Sequence, residues 1–219
     1  MSAGQPQTAP EGGAVDWYFD VVSPFAYFSC TRLDALPEGT VIRPRPVLFA
    51  GLLGHWGQKG PAEIPPKRTW TYRWCTWVAQ RDGIAFQPPA AHPFNPLPYL
   101  RLCVLLGEDL AAIRQVFEAL WTTGGDAADP ARFARLAEAL GFAADAVQAP
   151  EVKSRLEAET AQAAERGVFG VPSFVVGDTP FWGYDAMDFA AACLRDPGIL
   201  SRPEMQRAEQ LPQGVQRRR

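Results

Sequence analysis

The chain has 219 residues, 47% of them hydrophobic, which suits one domain with a substantial core. Its 21 basic and 24 acidic residues leave a net charge of −3, which argues against nucleic acid or an anionic membrane as the main partner. No apolar run reaches the roughly 18 residues of a spanning helix. The polar, Pro/Gly-rich start lacks the basic and apolar stretches of a secretory signal, so the cytoplasm is the expected compartment.

The four cysteines, Cys30, Cys75, Cys103 and Cys193, lie far apart and form no C-x-x-C. With His55 and His92 as the only histidines, no metal-ligand spacing is present and no metal site is expected. The cysteines read as small, buried, reduced hydrophobes.

Residues 1–13 are expected to be disordered, as is the Gln-, Pro- and Arg-rich tail 196–219. Residues 15–21, dense in aromatic and β-branched side chains, predict a buried strand. Ser23-Pro24 follows, a preferred N-cap and a favoured first helical residue, and a helix is expected over 25–36. Residues 40–48 predict a second strand, with Pro44 and Pro46 marking an edge or an end. The opening is therefore a βαβ unit with a parallel pair.

Residues 50–66 read as a Gly/Pro-rich loop. Residues 67–82 predict a helix carrying Trp70, Tyr72, Trp74 and Trp77 on a basic background. His92-Pro93-Phe94-Asn95-Pro96 forms a rigid loop. Helices are expected over 98–107, 109–122, 130–140 and 150–166, making a mostly helical block over 50–166. Residues 171–178 and 179–182 then predict paired strands, and 185–194 a closing helix. The sheet segments 14–49 and 167–195 would thus form one domain around a helical insertion, ordered βαβ, helical block, ββα.

Two sites carry chemistry. Ser23-Pro24-Phe25-Ala26 sits at a helix start, where unpaired N–H groups stabilise an anion such as a thiolate. Taken alone, Ser-Pro there is the ordinary signature of an N-cap. Gly170-Val171-Pro172-Ser173 precedes a strand. A cis proline there would present the backbone of the preceding residue to a ligand, and a proline that simply begins a strand is the plainer reading.

In combination these features resemble the DsbA branch of the thioredoxin superfamily, in which C-x-x-C occupies the place of Ser23-Pro24-Phe25-Ala26. Disulfide exchange needs two thiols and is excluded at this site. A narrower set resembles the 2-hydroxychromene-2-carboxylate isomerases and the kappa-class glutathione transferases. It comprises Phe19-Asp20-Val21-Val22-Ser23-Pro24-Phe25-Ala26-Tyr27, Arg45-Pro46-Val47-Leu48, Pro65-Pro66-Lys67-Arg68, Pro93-Phe94-Asn95-Pro96, Val168-Phe169-Gly170-Val171-Pro172 and Phe181-Trp182-Gly183-Tyr184-Asp185. The matches keep family order over 15–194. The last two strings favour the isomerase side.

The resemblance implies a thioredoxin-like α/β fold with a large helical insertion, a glutathione cofactor, a small aromatic substrate and a homodimer. It implies that Ser23, followed by Pro24 and Phe25, holds the glutathione thiolate, and that Val171 before cis-Pro172 pairs with its cysteinyl backbone. Trp182, Gly183, Tyr184 and Asp185 would meet its γ-glutamyl end; Asp185 is alternatively an N-cap of the last helix. No histidine neighbours Ser23 in sequence, so the serine is expected to assist as a donor rather than attack as a nucleophile.

The family pattern carries a Phe-Lys pair and an Asn after Arg-Pro-x-Leu, where this chain has Leu53-Gly54 and Gln58. His55 or Lys59 is a candidate replacement for the missing cation. Lys67 and Arg73 are candidates to grip a substrate carboxylate, Trp77 to wall an aromatic pocket, and Asn95 to orient a substrate, each against the plainer reading of a solvated or turn-capping side chain. The implied activity is a glutathione-dependent isomerisation by reversible thiolate addition. The alternatives are a kappa-like transferase and a non-catalytic binding module.

Overall fold

A computed structural model describes residues 13–215. Strand β1 (Ala14–Phe19) leads to helix α1 (Pro24–Cys30), and β2 (Val41–Pro46) follows. Six helices come next: α2 (Phe49–Trp56), α3 (Pro65–Asp82), α4 (Leu97–Leu106), α5 (Leu110–Trp121), α6 (Pro130–Ala139) and α7 (Pro150–Glu165). The chain returns to the sheet through β3 (Ser173–Val176) and β4 (Thr179–Trp182), then closes with α8 (Met187–Arg195) and α9 (Pro203–Glu209).

The four strands lie in the order β2-β1-β3-β4. β1 runs parallel to β2 and antiparallel to β3, and β3 and β4 are antiparallel. β2 is an edge strand, which is where a strand can tolerate Pro44 and Pro46 without losing a ladder hydrogen bond. The expected βαβ, helical block, ββα order is therefore the observed one.

β1 is buried on both faces, which explains its near-continuous apolar run. Val15, Trp17 and Phe19 join the larger core with α1, α4 and α5. Tyr18 points the other way, into a second cluster with Val47, Leu52 of α2, Ala163 and Ala164 of α7, and Val171. On that same side Asp16 accepts from Arg45 Nε at 3.1 Å and from an Arg166 guanidinium nitrogen at 2.7 Å. Burial would raise the Asp16 pKa, but the two arginines outweigh it and hold the carboxyl below the usual range.

Three expectations need correction. Residues 50–66 are not a plain loop, because α2 forms over Phe49–Trp56 and a 3-10 turn over Pro61–Glu63. Gly51 inside α2 serves packing: a Cβ there would lie 2.9 Å from Thr160 Cγ2 of α7, so α7 can approach this closely only where α2 has no side chain. Gly57, left-handed at φ 63°, ends the helix. The helix expected over 25–36 stops at Cys30 and gives way to a 3-10 turn, Leu33–Ala35. In the tail, residues 197–209 carry a 3-10 turn, Pro197–Ser201, and the exposed helix α9, where disorder is expected. Each begins with Pro at its first position, and Asp196 caps the turn by accepting from Gly198 N at 2.9 Å. Residues 1–12 and 216–219 lie outside the described part. Among the described residues no helix is long and apolar enough to cross a membrane.

Candidate active site

The turn from β1 into α1 meets the loop before β3. Ser23, extended at φ −89° and ψ 118°, caps α1 by accepting from Ala26 N at 3.2 Å. The same Oγ donates to the carbonyl oxygen of Val171 at 3.4 Å. The Val171–Pro172 peptide is cis. Ser23, Val171 and Pro172 are all buried, and each is brought there by the element it adjoins: Pro24 starts the helix, and Pro172 immediately precedes the strand.

The proline turn connects directly to the end of β4. Pro172 O accepts from Gly183 N at 2.9 Å. Gly183 has φ 106°, a backbone state that disfavours any side chain, and Asp185 Oδ1 occupies the space a Cβ would take. Trp182 is 55% exposed and lies across Gly170 and against the Phe169 ring at 5.1 Å. Asp185 is exposed, and α8 has no side-chain cap, so the capping alternative for Asp185 does not hold. Its carboxylate is therefore not committed to the helix. Tyr184 turns inward instead. Its hydroxyl donates to Asp82 Oδ2 at 3.2 Å, and its ring lies edge-on to Trp74 at 6.3 Å.

Phe25, half-buried beside Ser23, packs on Trp74 at 5.3 Å, and Trp74 stacks on Trp70 at 6.2 Å. These rings form an aromatic wall running from the start of α1 to the exposed side of α3. Trp56 Nε1 donates to Val168 O at 3.0 Å, tying the end of α2 to the loop before Pro172.

The candidate substrate residues are spread more widely. His55 and Gln58 are exposed at and just beyond the end of α2, as is Lys59, and Lys67 is exposed in the first turn of α3. Arg73 and Trp77 line a shallow depression of about 340 Å³ with Tyr72, Thr76 and Gln80 on α3. No residue of the Ser23 turn or the proline loop lines that depression, and the Arg81 guanidinium covers Trp77 at 4.9 Å. Asn95 is exposed and accepts from Leu97 N at 3.1 Å, which is the turn-capping role. The geometry thus gathers Ser23, Phe25, Val171, Pro172, Trp182 and Gly183, and leaves the six substrate candidates outside that contact set.

Two residues of the site were not singled out from sequence. Asp20 is fully buried and, among the described residues, has no cation partner; Oδ1 accepts from Val22 N at 2.9 Å and Oδ2 from Phe49 N at 2.8 Å. Burial pushes its carboxyl up to about 7, against the lowering effect of those two N–H groups. His92 reaches the same turn, with Nε2 at 2.6 Å from Val22 O. A histidine therefore does lie beside the Ser23 turn, but its ring is committed to the backbone and not to the Ser23 hydroxyl. The signal for Asp20 was an acid inside an apolar strand. For His92 it was the proline-rich loop that carries it.

All four cysteines are free and buried. Burial raises the thiols of Cys30 and Cys75 to about 12, so neither is a thiolate near neutrality.

A four-stranded sheet with a proline turn facing the first helix start, and with serine where a reactive thiol would stand, defines a thioredoxin-fold protein without a redox pair. The family model of the DSBA-like thioredoxin domain matches residues 14–195. A 2-hydroxychromene-2-carboxylate isomerase of Sphingobium xenophagum is 31% identical over 195 residues, spanning 83% of this chain and 98% of the relative. Another, from Pseudomonas putida, is 30% identical over 186 residues, covering 79% and 90% of the two chains. A solved 2-hydroxychromene-2-carboxylate isomerase superposes with a TM-score of 0.72 at 27% identity, over 91% of this chain and all of the other. The chain belongs to the DsbA-like thioredoxin family, in the group of the 2-hydroxychromene-2-carboxylate isomerases.

Proposed function

We propose that the protein is a glutathione-dependent isomerase acting on a conjugated, aromatic-derived carboxylate of the 2-hydroxychromene-2-carboxylate or hydroxybenzylidenepyruvate type. The observation that carries this reading is the contact of Ser23 Oγ with Val171 O at 3.4 Å. It brings together a hydroxyl donor and a backbone edge, which are the two groups a cysteinyl unit needs.

The residues present fit glutathione. At 3.4 Å the hydroxyl's bond to Val171 is long, so little is lost when the donor turns elsewhere. Ser23 O–H would turn to the sulfur, and the released Val171 carbonyl would accept from the cysteinyl N–H, so one long hydrogen bond gives way to two and neither protein group is left unpaired. Asp185, exposed and not engaged in capping, would pair with the glutathione ammonium beside Trp182 and Gly183. When bound, glutathione supplies a thiolate that adds reversibly to the conjugated carbon, allowing rotation about the former double bond before it leaves unchanged. Ser23 stabilises the sulfur anion as a donor; its Oγ partners among the described residues are Val171 O and Ala26 N and not a base, so it does not act as a nucleophile. Phe25, Trp74 and Trp70 offer a flat apolar wall for the aromatic ring.

Calorimetry with glutathione, followed by turnover of an arylidene pyruvate, tests the reading. Binding and isomerisation with catalytic amounts of glutathione, all of it recovered, are expected. No binding at millimolar glutathione would overturn it. Stoichiometric consumption with release of an adduct would make the protein a transferase.

A further inference from the structure

The backbone of the turn that presents Ser23 is held from three sides. Trp121 Nε1 of α5 donates to Val21 O at 2.9 Å, Asp20 Oδ1 accepts from Val22 N at 2.9 Å, and His92 Nε2 meets Val22 O at 2.6 Å. A carbonyl only accepts, so Nε2 carries the hydrogen, and Nδ1 is left as the acceptor for the Tyr72 hydroxyl of α3. The imidazole is a neutral strut between α3 and the peptide that enters Ser23. Its position is over-determined: its ring packs on Trp121 at 5.4 Å and Phe94 at 5.9 Å, and Arg68 Nη2 donates to its backbone carbonyl at 2.9 Å.

We propose that His92 is a positioning residue for Ser23: by holding the Val22 carbonyl it fixes the peptide plane from which the Ser23 hydroxyl faces Val171, and Tyr72 fixes the imidazole in the tautomer that can do so. Three features support this. The held carbonyl belongs to the residue immediately before the serine. Both ring nitrogens are engaged, so the histidine has no proton to give or take without breaking the strut. Tyr72 lies on the same helix as Trp70 and Trp74, so the strut also ties the helix that carries the aromatic wall to the turn that carries the hydroxyl. Misplacing a reacting group by about 1 Å can cost on the order of 100-fold in rate, which makes such a strut consequential. The effect on chemistry rests on the glutathione reading above; the effect on geometry does not.

The test compares His92→Gln, which keeps an N–H donor on a side chain of similar reach, with His92→Leu, which removes it. The first readout needs no ligand: amide exchange at Ala26, whose N–H is held by Ser23 Oγ at 3.2 Å. The Leu variant is expected to exchange at Ala26 at least about tenfold faster, with the amides of α5 unchanged and the Gln variant near wild type. The second readout is thiolate absorbance of bound glutathione together with kcat and KM. The Leu variant should lose the thiolate band and kcat, with KM for the aromatic substrate held, and the Gln variant should recover both. Equal Ala26 exchange in wild type and the Leu variant, or equal loss in the Leu and Gln variants, would overturn the proposal. If His92→Leu does not fold, Tyr72→Phe replaces it, and unchanged Ala26 exchange there counts against the strut. A wild-type protein without a thiolate band sinks the glutathione reading alone, since the exchange comparison still decides the positioning role.

Discussion

Ser23 Oγ and Val171 O, 148 residues apart in the chain, lie 3.4 Å from each other. One belongs to the turn that starts α1 and the other to the turn that starts β3, and the central pairing of β1 with β3 brings the two turns to the same end of the sheet. Position along the sheet, rather than local sequence, brings this pair together.

Removing the hydroxyl separates its two roles. Ser23→Ala should cost about 1 kcal/mol of stability through the lost cap on Ala26 N, leaving a folded protein. Turnover should fall by roughly 100- to 1000-fold, the usual loss for one anion-stabilising donor. The pKa of bound glutathione, titrated by thiolate absorbance, should rise in the variant. Equal values in the two proteins would remove Ser23 from the chemistry.

The buried acid below the turn predicts a pH effect on stability. Asp20 ionises at about 7 in the folded protein and near 3.8 in the unfolded chain. Below that lower value both states hold the proton and the group is neutral to stability. As pH rises towards 7 the fold is progressively weakened, and above it the full penalty stands. Asp20→Asn abolishes this dependence. Between pH 5 and 8 the wild type should therefore lose on the order of 2 kcal/mol relative to the variant, measured by urea unfolding. Asn keeps one acceptor and presents a donor to the second N–H, so a constant offset of about 1 kcal/mol is expected at every pH. The slope carries the information. His92, its pKa lowered by burial, weakens the fold only as pH drops through its unfolded range, in the opposite sense and equally in both proteins.

The α2–α7 contact gives a test of packing. Gly51→Ala places a methyl 2.9 Å from Thr160 Cγ2 and should cost about 1–3 kcal/mol. Adding Thr160→Ser removes that methyl while keeping the hydroxyl that Leu48 N donates to at 2.9 Å, so the double variant should recover most of the lost Tm. No recovery would mean that the glycine serves something other than close approach.

Much of the architecture was readable before folding because its signals are local. Ser23-Pro24 announces a helix start, and proline in β2 announces an edge. The Gly/Pro-rich look of 50–66 misled for an equally physical reason. The glycine at 51 answers to a neighbouring helix 109 residues on, and local propensity contains nothing about that neighbour. The exposed candidates His55, Gln58, Lys67, Arg73, Trp77 and Asn95 were chosen by residue type, which does not reveal where a side chain ends up relative to Ser23.

By itself the sequence determined the order βαβ, helical block, ββα, though not α2 or α9, together with the serine at the helix start, the Val-Pro turn and the absence of a C-x-x-C pair, because each follows from short-range backbone chemistry and residue identity. Only the tertiary structure decided that Val171 faces Ser23, that Asp20 is fully buried on two backbone N–H groups, and that His92 holds the carbonyl of Val22. Those relationships come from the packing of segments distant in the chain, where burial and hydrogen-bond satisfaction are set by neighbours that local patterns do not specify.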